Sequence, residues 1–314
     1  MIFSLSTRWN ASRHESGEAL LAEILELGWT HVELGYDLVG PLVPGVQKMV
    51  ARGAVRVTSL HNFCPVPAGA PLPHPEIFTL TSPARLNREN AVFHTINTVR
   101  FAAEVGASVV VLHCGSVDMS ALTPKLITLA EAGRQSEPAY EKTKLKLLAA
   151  REKEARRQLE FLYAGLEKIL PVLNETGVAL GIEILPMWEA IPTEVELEAL
   201  LKHFNSPRLR YWHDFGHAQV RENLGLTNHV RWLSRLAPWL AGMHIHDVLP
   251  PARDHLAPGQ GHLDFAGFRN VAHRNVIRVL EPAPFTPAAD LMAGLRHLQA
   301  AWTPAEAMTG AATT

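Results

Sequence analysis

The sequence predicts an α/β fold: a single (β/α)8 TIM barrel with a helical insertion after the fourth strand. Three observations predict it. Short β-rich runs alternate with longer amphipathic stretches. There are eight of each. The chain, 314 residues with 47% apolar content and no internal linker, has the length and core-forming capacity of one barrel. Eight alternations favour a closed barrel over an open doubly wound sheet. A GxGxxG or GxxxxGK[ST] loop after a strand would argue for the open sheet, and neither occurs.

In order, the strands are read at 2–6 (IFSLS), 30–35 (THVELG), 55–61 (VRVTSLH), 108–113 (SVVVLH), 178–184 (VALGIEI), 208–213 (RLRYWH), 241–246 (AGMHIH) and 275–281 (NVIRVLE). Helical patterns fall near 17–27, 44–52, 87–105, 138–174, 193–204, 228–236, 265–273 and 287–302, the third opening behind a capping Asn87. Between Asn62 and Asn90, six prolines (Pro65, Pro67, Pro71, Pro73, Pro75 and Pro83) forbid regular structure and predict a semi-rigid lid over the mouth. From Gly115 onward a helical insertion begins, and its stretch EKTKLKLLAAREKEARR reads as a solvated face. One domain is expected over 1–302, followed by a small, polar tail at 303–314 that frays.

Composition excludes several function classes. A formal net charge of -2 gives no global basic field, so a nucleic-acid partner is disfavoured. Two cysteines, Cys64 and Cys114, make neither a CxxC pair nor a disulfide framework. The N-terminus lacks the charged and long apolar regions of a signal peptide, and no run of about 18 apolar residues predicts a membrane span. A soluble, cytoplasmic protein is expected, with no membrane partner; self-association into a homo-oligomer stays open.

Chemistry appears at the C-terminal ends of the strands, where barrels place their functional groups. These ends carry Glu33, His61, His113, Glu183, His213 with Asp214, His244 with His246, and Glu281. Imidazoles and carboxylates are the ligand set of a borderline or hard divalent metal, Mn, Zn, Co or Mg. Carboxylates converging without a cation would repel one another.

This pattern resembles the xylose isomerase-like barrel superfamily, which includes ketose 3-epimerases, other sugar isomerases, inosose dehydratases and endonuclease IV. The resemblance runs from FSLS to VLEP. It implies four metal ligands in strand order: Glu183 in GIEI, Asp214 in WHDFGHA, His244 in MHIHD and Glu281 in VLEP. It also implies a substrate-contacting His217 in the DxxH turn and Glu189 six residues after Glu183. His255 is implied in DHLAPGQGHLDF, whose glycines let backbone approach a ligand. Glu183 and Glu281 would then double as acid/base groups, moving a proton next to a carbonyl of a sugar-like substrate.

The resemblance to endonuclease IV draws in His61 and His113, either as ligands of a second ion bridged by Glu183 or as substrate contacts. Arg253 stands where that enzyme's third-site Asp would lie. A cation there argues against a third ion and suits an anionic or polyhydroxy substrate. A metal-dependent phosphodiesterase on abasic DNA is thus the alternative function, and a non-catalytic metal-binding barrel a further one. Trp9, Trp188 and Trp212 are candidates either for stacking on a sugar or for filling the core. Asp247 could orient a ligand or cap the next turn.

Overall fold

In the computed structural model, which describes residues 1–272 and 274–303, eight parallel strands close into a barrel. They are β1 (Ser4–Ser6), β2 (His31–Leu34), β3 (Arg56–His61), β4 (Val109–Leu112), β5 (Ala179–Glu183), β6 (Leu209–Asp214), β7 (Leu240–Ile245) and β10 (Ile277–Leu280). Each strand pairs with its sequence neighbour and β1 closes on β10, which defines a (β/α)8 TIM barrel. β8 (Asp247–Leu249) and β9 (Arg253–Leu256) form an antiparallel hairpin in the loop after β7. The sequence pattern did not mark this hairpin.

The outer layer comprises α1 (Gly17–Glu26), α2 (Val43–Ala51), α3 (Arg85–Glu104), α4 (Thr123–Glu131), α5 (Pro138–Thr176), α6 (Glu194–Phe204), α7 (Phe215–Asn223), α8 (His229–Leu236), α9 (Arg269–Ala272) and α10 (Ala288–Trp302). Of these, α4 lies within the insertion, and α7, directly after β6, lay outside the predicted patterns. Asn87 does not cap the third helix. That helix opens behind Ala84, and Asn87 lies inside it with its side-chain oxygen accepting the Thr79 N–H at 2.9 Å.

At 39 residues, α5 spans about 58 Å at about 1.5 Å per residue, and it ends on Gly177, whose φ of 76° supplies the left-handed C-terminal turn. Most of its charged stretch does face solvent, but Arg151 is buried. The proline-rich segment is irregular up to Arg85, yet it is tied to the flank: Leu80 packs against Gly165 of α5, and the Cys64 N–H donates to Thr98 Oγ1 at 3.1 Å. The expected tail at 303–314 lies outside the described residues beyond Thr303.

The barrel interior is packed. Val109, Val111, Trp212 and Val279 form a separate cluster inside it. Room for the Trp212 indole comes from Gly242 on the adjacent strand, where a Cβ would lie 2.2 Å from the ring. Trp212 is therefore the floor of the mouth, and truncating it to Ala would cost about 3–5 kcal/mol. Trp9 is also buried, its indole N–H donating to the Thr286 carbonyl at 2.7 Å. Both cysteines are buried and unpaired. Among the described residues no helix is long and apolar enough to cross a membrane.

Candidate active site

Because the strands are parallel and side chains alternate in and out of the barrel, the inward residues at their C-terminal ends converge above Trp212. His244, penultimate in β7, is the hub. Its Nδ1 lies 3.2 Å from Glu183 Oε1, 3.8 Å from Asp214 Oδ2 and 3.1 Å from Glu281 Oε2. These four come from β5, β6, β7 and the end of β10, which are consecutive around the barrel. All four are almost wholly buried.

Glu33, at a strand end but given no role from sequence, explains the orientation of this hub. It accepts from His244 Nε2 at 3.0 Å and is itself held by Ser59 Oγ at 2.8 Å. With Nε2–H directed at a carboxylate, Nδ1 is the nitrogen left to face a cation. His246 plays a comparable part for Asp214. Its Nε2 lies 3.1 Å from both Asp214 oxygens, and its Nδ1 accepts the His255 backbone N–H at 2.9 Å. The ring fits only because residue 216 is glycine: a Cβ there would sit 1.9 Å from His246 Cε1. With both nitrogens engaged, His246 holds Asp214 and the hairpin together.

His61 ends β3 and His113 follows β4. They lie 3.5 and 3.0 Å from Glu183 Oε2, so Glu183 faces His244 with one oxygen and this pair with the other. The ligand atoms of His61, His113 and Glu183 lie within 4.8 Å of one another, as do those of Glu183, Asp214 and His244. His217, on α7, has Nδ1 3.3 Å from Glu183 Oε1. It is placed there by Asp214, whose Oδ1 accepts the His217 N–H at 2.6 Å and so caps the helix. His255 adopts φ 55° in β9, stacks on His246 with ring centroids 4.1 Å apart, and reaches 3.9 Å from Glu281 Oε2.

Two expected substrate contacts lie elsewhere. Glu189 caps α4, accepting from the Leu122 and Thr123 backbone N–H groups at 2.5 and 2.8 Å and from Thr123 Oγ1 at 2.5 Å. Arg253 is exposed on β9, and among the described residues it forms no ion pair. Its neighbour Asp254 contacts His255 Nδ1 at 3.1 Å. Asp247 caps a turn, as one of its two readings held: its carboxylate accepts four backbone N–H groups, from Val248, Gly259, Gly261 and Leu263. Trp188 lies on the flank between Arg151 and Arg221. A cavity of about 920 Å³ lies there too, against α5 and lined by none of the mouth residues.

One residue escaped the sequence reading altogether. Arg8, in the 3-10 turn Thr7–Trp9 after β1, donates Nη1 to Glu281 Oε1 at 3.1 Å. It lies one turn beyond a strand end, where no spacing rule marks it.

The electrostatics show why these groups tolerate one another. Burial alone would raise the Glu183 carboxyl, but His244 and His113, with His217, hold it well below the usual range. Glu281 is likewise held low against burial, by His244 and Arg8. Conversely, burial would lower His217 and His244. Asp214 and Glu183 instead raise His217 to about 9, and Glu281, Glu33 and Glu183 hold His244 well above its ordinary value. His113 Nδ1 is buried without a hydrogen-bond partner. A hub nitrogen fixed by Glu33 among three carboxylates, with the imidazoles of His61, His113 and His217 on Glu183 beside it, fits a divalent cation.

The chain's sequence matches the family described as xylose isomerase-like TIM barrel over residues 21–301. No curated protein matches it in sequence. Among solved structures it is similar to a D-tagatose 3-epimerase-like protein, at 16% identity over 100% of both chains with a TM-score of 0.69. It is also similar to the apo 3-keto-D-glucoside 4-epimerase of E. coli, at 15% identity over 96% of this chain and 99% of that one, TM-score 0.67. An L-ribulose 3-epimerase shares 15% identity over 100% of both chains, with a TM-score of 0.66. At such identities the likeness is one of fold.

Proposed function

The chain belongs to the xylose isomerase-like TIM barrel family, and on that premise we propose that it is a divalent-metal-dependent isomerase or epimerase. It would move a proton at the carbon beside a carbonyl of a sugar-like substrate. The observation that carries this reading is the bracket of Glu183 and Glu281 around Asp214 and His244, with His244 Nδ1 within 3.8 Å of all three carboxylates. The epimerases of similar fold act on sugars by their names, which agrees with it.

A divalent ion held by Glu183, Asp214, His244 and Glu281 supplies Lewis-acid polarisation of the substrate oxygens. The chain's residues do the rest. Glu183 and Glu281 stand on strands separated by β6 and β7, so they approach a substrate over the mouth from two sides. One takes the proton from the carbon at a carboxylate oxygen and the other returns one. His217 and His255, at the rim, hydrogen-bond substrate hydroxyls. Glu33 and His246 keep His244 and Asp214 in register. His61 and His113 either contact substrate or hold a second ion with Glu183.

Incubation of the metal-loaded protein with a ketose panel in heavy water tests this. Deuterium is expected at the carbon beside the carbonyl, and Glu281→Gln should abolish it while circular dichroism shows the fold intact. Absence of exchange together with nicking of abasic duplex DNA would select the phosphodiesterase reading. Neither activity would select a non-catalytic barrel.

A further inference from the structure

Proton transfer uses Arg8 only to hold Glu281 ionised, through one of its donors. Its guanidinium lies over the Tyr36 ring at 4.7 Å, and its side chain keeps 17% of its surface exposed at the mouth. An arginine carries five N–H donors. Glu281 takes one of them, and among the described residues no other acceptor takes the rest. Asp37, the other carboxylate nearby, forms no ion pair with it. Asp37 Oδ1 is buried without a hydrogen bond, beside Gly35. The idle donors are not sealed in the interior but stay open at the mouth, where an entering acceptor can take them.

The geometry indicates which acceptor. Contact with the Tyr36 ring and the bond to Glu281 restrain the guanidinium, and its planar fork matches a carboxylate through two parallel N–H···O bonds. A neutral hydroxyl would be served as well by a neutral donor. Arg8 is also the only arginine or lysine among the described residues that pairs with a carboxylate of the mouth. Glu281 shares Arg8 through Oε1 alone, which leaves the other edge of the guanidinium for a ligand.

We propose that Arg8 is the specificity-determining residue of this mouth and selects a sugar acid, a polyhydroxy substrate with a carboxylate near the reacting carbon. This rests on the reading of the site as a proton-transfer enzyme on sugar-like substrates, and it narrows the substrate class. Since Arg8 touches Glu281 itself, the carboxylate lies close to the reacting carbon and not at the far end of the molecule.

D-gluconate and D-glucitol differ only in a carboxylate against a hydroxymethyl group, and neither has a carbonyl to exchange. Their binding to the metal-loaded protein, freed of excess metal, is measured by titration calorimetry. Gluconate should bind about 10- to 100-fold more tightly, the range of charge-assisted hydrogen bonds. Arg8→Ala, checked for metal content and circular dichroism, should bind the two equally, and Arg8→Lys, which keeps the charge and loses the fork, should fall between. Equal binding by the wild type would overturn the proposal. So would a preference that survives in Arg8→Ala, because the carboxylate would then be held by the metal or a histidine. Should Arg8→Ala fail to fold, Arg8→Lys decides: an undiminished preference there overturns the fork. Loss of the gluconate preference leaves proton transfer on neutral ketoses standing, whereas a preference without deuterium exchange on any keto sugar or keto acid sinks the reaction and not the selection.

Discussion

Two regions of this molecule bury charge, and they do so in opposite ways. On the flank, Arg151 grips Glu196 through two bonds of 2.7 and 2.8 Å and donates to the Trp188 and Ala190 carbonyls, while Arg221 pairs with Glu194 at 3.2 Å. Cations and carboxylates are there in equal number. In the mouth, Glu33, Glu183, Asp214 and Glu281 face a cluster of imidazoles and, among the described residues, a single arginine. The flank pairs its charges one to one and so staples α5 and α7 to α6 and to the loop before it. The mouth satisfies them only in part, which is the mark of a site whose partner comes from outside.

The comparison breaks most sharply under substitution. Glu183→Gln should lower turnover by about a thousandfold, within the usual range for an acid/base group. It should also reduce bound metal, while the urea midpoint of the metal-free protein falls less than in a flank variant, because the imidazoles left behind can shed their protons. A stability loss comparable to that of a flank variant would erase the distinction. Arg221→Ala should do the reverse. It strands Glu194 in the interior, so unfolding should become easier by about 3–5 kcal/mol, with metal content per folded molecule unchanged.

A smaller effect is expected where the mouth is held from behind. Gly216→Ala would drive a Cβ into His246, releasing Asp214, and metal affinity should fall about 10- to 100-fold, as for other residues that orient a ligand. Competition with a chelator measures it, and unchanged affinity would show that His246 does not support Asp214.

The smallest effect is on pH. His217 rises from 6.5 to about 9, burial being outweighed by Asp214 and Glu183. A raised histidine contributes stability that is fully present below about 6.5 and lost as pH rises through about 9. The metal-free protein should therefore lose stability over that interval. A protonated His217 beside Glu183 repels a divalent ion, so affinity for that ion should rise as the proton leaves over the same interval. Thermal melts with and without metal across this range would show opposite slopes.

The strands were legible because each is a short apolar run and all but the first, like SVVVLH, close on an imidazole or carboxylate that parallel pairing must carry to one face. The helix after β6 was not, because its start is set by Asp214, a site residue whose side chain caps His217, and its apolar periodicity is weak. Glu189 shows the limit of spacing: six residues past Glu183 places it on a loop, where Thr123 and the start of α4 claim it. Arg253 shows another, since its neighbours fold into a hairpin that turns the cation outward. Arg8 left no signal, because nothing in a sequence ties a residue of the first turn to one 273 positions later.

Trp212 has a consequence of an optical kind. Its indole, wholly buried, meets the His244 ring edge-on with centroids 5.2 Å apart, and its N–H has no hydrogen-bond partner. A fluorophore so rigid and dry emits toward the blue, and a paramagnetic ion such as Mn or Co on the far side of that imidazole would quench it. The chain has seven tryptophans, so the difference between the parent and Trp212→Phe isolates the signal. The barrel floor is thus a built-in lamp beneath the mouth, able to time the arrival of an ion without any added probe.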